Sequence, residues 1–248
     1  MDAVLAALQG QLDELEGLLA PLDADAWHRP SACAGWDVSD VVLHLAQTNE
    51  LAAASARGDL ARVADGWGRA EGTTVDDVAG DAVAAQRGTA PDEVHARWTA
   101  SATAMVGALA ACPPDQRVPW VVGDMAARTL ATTRLAETWI HTGDVADGLG
   151  VTLAPTDRLW HVARLVHRTL PYAFARAGEA PPGPVRLALA APGGDTWTFG
   201  PDDAPTVVTG PAADLCRVAG QRAHASDTAL AATGPDATAV LRLMRTFA

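Results

Sequence analysis

The 248-residue chain predicts an α+β fold that is mostly helical, with a four-helix bundle followed by a small α+β domain. Three observations predict it. Ala carries much of the 49% apolar content while aromatics are only 5%, which suits closely packed helices better than a β-sandwich. Before Gly150, long stretches repeat apolar residues every three and four positions; after Pro181 the pattern becomes short apolar or alternating runs between turn signals. The length also allows two modest domains, since a domain usually runs roughly 100–200 residues. The change of texture divides the chain into 1–150 and 155–248.

The first helix follows from Val4, Leu5, Leu8, Leu12, Leu15 and Leu19, spaced to share one face with acids between them. At Gly35-Trp36-Asp37-Val38-Ser39-Asp40 the glycine punctuates, Asp37 can cap free backbone N–H groups and Asp40 sits near the positive end of the dipole, so a second helix runs from about Val38 past Leu51. Residues 57–90 are rich in Gly, Asp and Thr and hold a short helix around Val75 to Gln86. Pro91, a good first helical residue, opens a third long helix through Trp98, Met105, Val106 and Leu109 that ends before Pro113-Pro114. A fourth runs from near Asp124 to about Gly148. Four such helices folding back on one another make a bundle.

Beyond Gly150, Leu159 to Phe174 reads as helix and Pro181-Pro182-Gly183-Pro184 breaks the chain. VRLALA (185–190) and DTWTFG (195–200) flank a Pro-Gly-Gly turn, a hairpin signal, and Val207-Val208 is a third strand. Gly210-Pro211 and Gly234-Pro235 each open a helix.

Composition excludes several functions. All 18 basic residues are arginine against 30 acids, a net charge of −12, which repels a phosphate backbone and argues against nucleic acid as a partner. The start MDAVLAALQGQLDELEGLL has no basic leader and is interrupted by acids, so it reads as neither signal peptide nor membrane anchor, and no membrane partner is expected. Cys33, Cys112 and Cys216 are far apart with no C-x-x-C pair, which spells out no disulfide frame or zinc knuckle and suits a reducing cytoplasm.

The strongest chemical constellation is Glu137 and His141, four apart in LAETWIHTGDV. On a helix their side chains leave one face with Cβ atoms about 5–6 Å apart, so both can grip one ion if a neighbouring helix supplies a third ligand. His44 in DVVLHLA is the candidate, sharing its stripe with Asp37, Asp40, Val41, Thr48 and Leu51. A plain Arg134–Glu137 pair on a solvated face accounts for the spacing equally well.

The segments CAGWDVSDVVLHLAQTNE (33–50) and VPWVVGDMAARTLATTRLAETWIHTGDVADGLG (118–150) resemble, in order and context, the two signatures of the mycothiol-dependent maleylpyruvate isomerase family, a branch of the DinB-like metal-binding bundles. The resemblance implies that His44, Glu137 and His141 occupy the family's metal-ligand positions and that residues 155–248 form a sterol-carrier-like domain. It further implies a divalent metal, zinc first with iron(II) or nickel also suited to two His and a carboxylate, and mycothiol as a thiol cosubstrate. The expected activity is isomerisation or S-transfer on a small electrophilic substrate, with an open coordination position for the reactant.

Arg134 and Asp144 are the further catalytic candidates. Arg134 has the phase to enter the site, and Asp144, one turn after His141, can hold its ring N–H, although a surface acid at a helix end reads the same. Arg57, Arg62, Arg69 and Arg87 follow the second helix, but no motif aligns any of them with a family substrate arginine. Cys33 reads as a small buried residue rather than a nucleophile. Trp36 and Trp139 read as bundle packing, and His161 and His167, six apart, share no helix face. Two other functions remain open: a thiol-independent lyase, cyclase or hydrolase, distinguished by activity without added thiol, and a metal-containing small-ligand-binding protein, distinguished by closed coordination.

Overall fold

The computed structural model describes residues 1–64 and 74–246, and Arg69 lies outside them. The chain divides into two units, Met1–Leu153 and Ala154–Ala248.

The first unit contains helices α1 (Asp2–Leu19), α2 (Ala24–Trp27), α3 (Val38–Arg57), α4 (Leu60–Ala64), α5 (Val75–Ala84), α6 (Pro91–Ala111) and α7 (Ala127–Leu149). The expected four long helices are α1, α3, α6 and α7. Val4, Leu8, Leu12, Leu15 and Leu19 bury one stripe of α1, as their spacing requires. α3 packs against both α6 and α7 and is buried almost all round. Its alanines at 52, 53, 54 and 56 are all buried, and such small side chains let neighbouring helices approach closely. The α3 start is a reciprocal capping box, in which the Asp37 carboxylate accepts from Asp40 N–H at 2.8 Å and Asp40 accepts from Asp37 N–H at 3.4 Å. α7 begins three residues later than the sequence suggests. Met125–Ala126 (β2) instead pairs antiparallel with Arg117–Val118 (β1), a ladder that ends where the helix takes over.

The second unit combines α8 (Leu159–Arg176), α9 (Ala212–Ala219) and α10 (Ala237–Leu243) with strands β3 (Val185–Ala190), β4 (Thr196–Phe199), β5 (Thr206–Pro211) and β6 (Ala231–Thr233). The sheet order is β4-β3-β5-β6. β3 and β4 form the expected hairpin, β3 and β5 run parallel, and β6 closes the other edge antiparallel. Val185, Leu187 and Leu189 alternate into the core of this unit. Pro211 ends β5 and caps α9 rather than sitting inside its first turn, and α10 likewise starts at Ala237, two residues past Pro235. Among the described residues no helix is long and apolar enough to cross a membrane.

Candidate functional site

The polar residues of the first unit gather where α3 faces α7. α7 buries Thr133, Arg134, Thr138, His141, Thr142 and Asp144. Its threonines need no outside help, because Thr138 and Thr142 donate to the carbonyls of Arg134 and Thr138 one turn back, at 2.8 and 2.6 Å. Gln11 of α1 donates to Thr142 Oγ1 at 3.2 Å. His141 and Asp144 gather with Glu137 and with His44 of α3.

His44, Glu137 and His141 each offer a ligand atom, and the three atoms lie within 4.8 Å of one another. His141 Nδ1 sits 2.9 Å from Asp144 Oδ2, while its Nε2 faces Glu137 Oε2 at 3.7 Å. With Nδ1 donating to Asp144, the Nε2 lone pair is free to coordinate. The His44 ring meets the His141 ring edge-on at 5.0 Å between centroids and is backed by Trp36 at 5.2 Å. Both imidazoles are buried and Glu137 is half-buried. Burial, then the electrostatic influence of His141 and Arg134, pushes the His44 pKa well below its ordinary value. His44 is therefore a neutral imidazole at neutral pH, and among the described residues its buried Nδ1 finds no hydrogen-bond partner. A neutral imidazole beside a second imidazole and a carboxylate makes a donor set able to hold a divalent cation.

Arg134 is only 2% exposed, so the solvated Arg–Glu pair that the spacing also allowed is not what forms. Its Nη2 donates across to α3, to Thr48 Oγ1 at 2.9 Å and Asn49 Oδ1 at 3.2 Å, and its Nε has no partner among the described residues. Desolvation lowers the guanidinium pKa, and the negative charge of Glu137 works in the opposite direction. Asp144 is likewise buried rather than a surface acid.

Sequence reasoning undervalued Cys33. Its Sγ lies 3.0 Å from Asp144 Oδ2 and 3.7 Å from His141 Nδ1. The loop carrying it is laid onto the end of α7, with Ala32 N–H donating to Asp144 O at 3.1 Å and Cys33 N–H to Ser31 Oγ at 3.1 Å. Gly148 permits this seat, because a Cβ there would come within 2.4 Å of the Pro30 carbonyl oxygen. The available signal was the Cys-x-Gly-Trp turn directly before the capped helix, but periodicity does not place loops.

Of the arginines after the second helix, the described Arg57, Arg62 and Arg87 do not gather here. Arg57 ends α3, more than three turns beyond His44, and Arg62 lies on α4. Arg87 braces the loop instead, with Nε 3.1 Å and Nη2 2.7 Å from the Asp40 carboxylate and Nη2 3.2 Å from the Gly35 carbonyl.

Comparisons with known proteins bear on this site. Two relatives, uncharacterized proteins from two strains of Mycobacterium tuberculosis, are each 36% identical over 254 residues, spanning 98% of this chain and 95% of their own. A crystal structure of mycothiol-dependent maleylpyruvate isomerase superposes with a TM-score of 0.63 at 19% identity, and a single-residue mutant of that enzyme with 0.64 at 18%. Each comparison covers 95% of both chains, and at that identity the likeness shows the fold. The family profile described as the mycothiol maleylpyruvate isomerase N-terminal domain matches residues 8–146, which include the α3 and α7 segments that carry the site. The chain therefore belongs to the mycothiol maleylpyruvate isomerase N-terminal domain family.

Proposed function

We propose that the chain is a metal-dependent enzyme of the maleylpyruvate isomerase type, which uses a mycothiol-like low-molecular-weight thiol for isomerisation or S-transfer on a small electrophilic substrate. The observation that carries this reading is the convergence of ligand atoms of His44, Glu137 and His141 within 4.8 Å, with the buried Nδ1 of His44 left without a partner among the described residues. A divalent cation held by these three, zinc first for two imidazoles and a carboxylate, would supply a Lewis acid that keeps a thiol deprotonated at neutral pH.

The chain's own residues prepare that chemistry. Burial keeps His44 neutral, Asp144 fixes His141 through Nδ1, and Glu137 adds the one negative charge of the set. Arg134 holds a buried positive charge one turn before Glu137, which favours anionic reactants in the site. Trp36 backs His44 and restricts the motion of its ring. The second unit, a mixed sheet with three helices, is read as the sterol-carrier-like module of such enzymes. The three cysteines, none joined to another, suit work in a reducing cytoplasm.

Metal analysis of the purified chain beside His44→Ala and His141→Ala tests the reading. Wild type should carry close to one divalent ion per chain, and both variants should lose it. Unchanged metal content in both variants overturns the proposal. Turnover of maleylpyruvate should require added thiol; undiminished turnover without it would replace the thiol mechanism by a thiol-independent one.

A further inference from the structure

His141 presents a second cluster from its other ring nitrogen. Cys33, His141 and Asp144 offer three ligand atoms within 4.8 Å of one another: Sγ to Oδ2 at 3.0 Å, Sγ to Nδ1 at 3.7 Å and Nδ1 to Oδ2 at 2.9 Å. We propose that these three side chains form a second cation site, selective for a thiophilic divalent metal, which competes with the His44–Glu137–His141 set for the single imidazole of His141.

The cluster is held in place from both sides. His141 and Asp144 are buried and lie one turn apart on α7, while Cys33 is half-buried on the loop seated by Ala32, Ser31 and Gly148. No ligand has to be brought in from a mobile surface arm, so little ordering entropy opposes binding. Its donor chemistry also differs from the first set. Two imidazoles and a carboxylate contain no sulfur, whereas thiolate, imidazole and carboxylate together favour soft ions such as cadmium and excess zinc.

The proton balance makes the two sets alternatives. A cation in the Cys33 set replaces the thiol proton and the proton on His141 Nδ1. One proton leaves to solvent and the other returns at Nε2, which keeps the imidazole neutral. Nε2 then carries hydrogen and cannot serve the first set. Asp144 changes role at the same time, from acceptor of the ring N–H to ligand. The proposal stands apart from the first reading in everything except the sharing of His141.

Titration of the metal-free full-length chain with cadmium(II) tests it, read by thiolate-to-cadmium charge-transfer absorption in the ultraviolet and by equilibrium dialysis. Wild type should develop the band and saturate at one cadmium per chain. Cys33→Ser should lose the band, and Glu137→Gln, which weakens only the first set, should keep it. The background is low, because Cys112 and Cys216 are buried with their thiols directed at the carbonyls of Ala56 and Leu159. Cadmium bound without the band, or a band undiminished in Cys33→Ser, overturns the site; saturation at two ions per chain overturns the competition. Because the Cys33 set survives in His44→Ala, the metal analysis of that variant is repeated in a Cys33→Ser background, where only the first set can hold an ion, so the two proposals fail separately.

Discussion

α3 meets two long helices that differ in what they bring to it. Against α6, whose buried residues are Val94, Trp98, Ser101, Ala102, Met105 and Leu109, the seam is apolar inside but for Trp98 Nε1 and Ser101, whose hydroxyl returns to its own helix at Trp98 O, 2.8 Å away, and Arg97 pairs with Glu50 across its edge at 2.7 Å. Against α7 it faces Arg134, His141 and Asp144, with Glu137 at the edge. A buried apolar side chain stabilises by leaving water, whereas a buried charge costs several kcal/mol unless partners or a ligand repay it. The α3–α6 seam, which leaves Trp98 Nε1 unpartnered, can therefore hold the fold while the α3–α7 face stays less satisfied, with His44 Nδ1, Asn49 Nδ2 and Arg134 Nε all without partners among the described residues. Folding and chemistry are separated onto two sides of one helix.

The most damaging way to probe that separation is to open the apolar seam. Trp98 is 2% exposed, and Trp98→Ala should destabilise the protein by about 3–5 kcal/mol through lost transfer energy and the cavity left behind. Chemical denaturation measures the loss. Molecules that remain folded should still bind metal with wild-type affinity, and a parallel collapse of metal affinity would show that the two sides are coupled.

Asp144→Asn acts on the other face. The substitution keeps the side chain's size but removes the charge that holds His141 Nδ1–H at 2.9 Å. Metal affinity should fall about 10–100-fold, the usual cost of losing the group that orients a histidine ligand. Stability of the metal-free protein should change far less than in Trp98→Ala. Competition with a chromophoric chelator gives the affinity, and an unchanged value would mean that His141 is oriented by packing alone.

The same division explains what could be read from the sequence. The apolar spacing of α1 and α6 and the Asp37–Asp40 cap of α3 are local signals, and the helices form at those places. Glu137 and His141 were also legible, because four-residue spacing on one helix fixes their neighbourhood. Bringing His44 to them depends on how α3 packs, which no local pattern encodes. The burial of Arg134 depends on Thr48 and Asn49 offering acceptors from α3, so spacing alone left a solvated pair equally plausible. Cys33 was missed because its position is set by a loop folded over Gly148, more than a hundred residues away. β1, β2 and β6 are two or three residues long, too short to show alternation.

Acid should reveal the cost of the polar face in the metal-free protein. His44 has a folded-state pKa depressed well below its ordinary value of 6.5, first by burial and then by the electrostatic influence of His141 and Arg134. Above that ordinary value His44 is neutral in both states and contributes no pH dependence. Below it the unfolded chain takes up a proton that the folded chain refuses, so stability falls as pH drops, until the depressed folded pKa is reached. One such group gives a slope of at most about 1.4 kcal/mol per pH unit. Denaturant midpoints of the metal-free protein from pH 7 downward should show this decline, and His44→Gln should remove that part of it. None of the buried α6 residues of the seam titrates, and Arg97 and Glu50 pair at its edge, so Trp98→Ala should lower the whole curve with little change of slope. If His44→Gln leaves the slope unchanged, the imidazole is charged in the folded protein, and the neutral ligand face that sets α7 apart from α6 does not exist in the absence of metal.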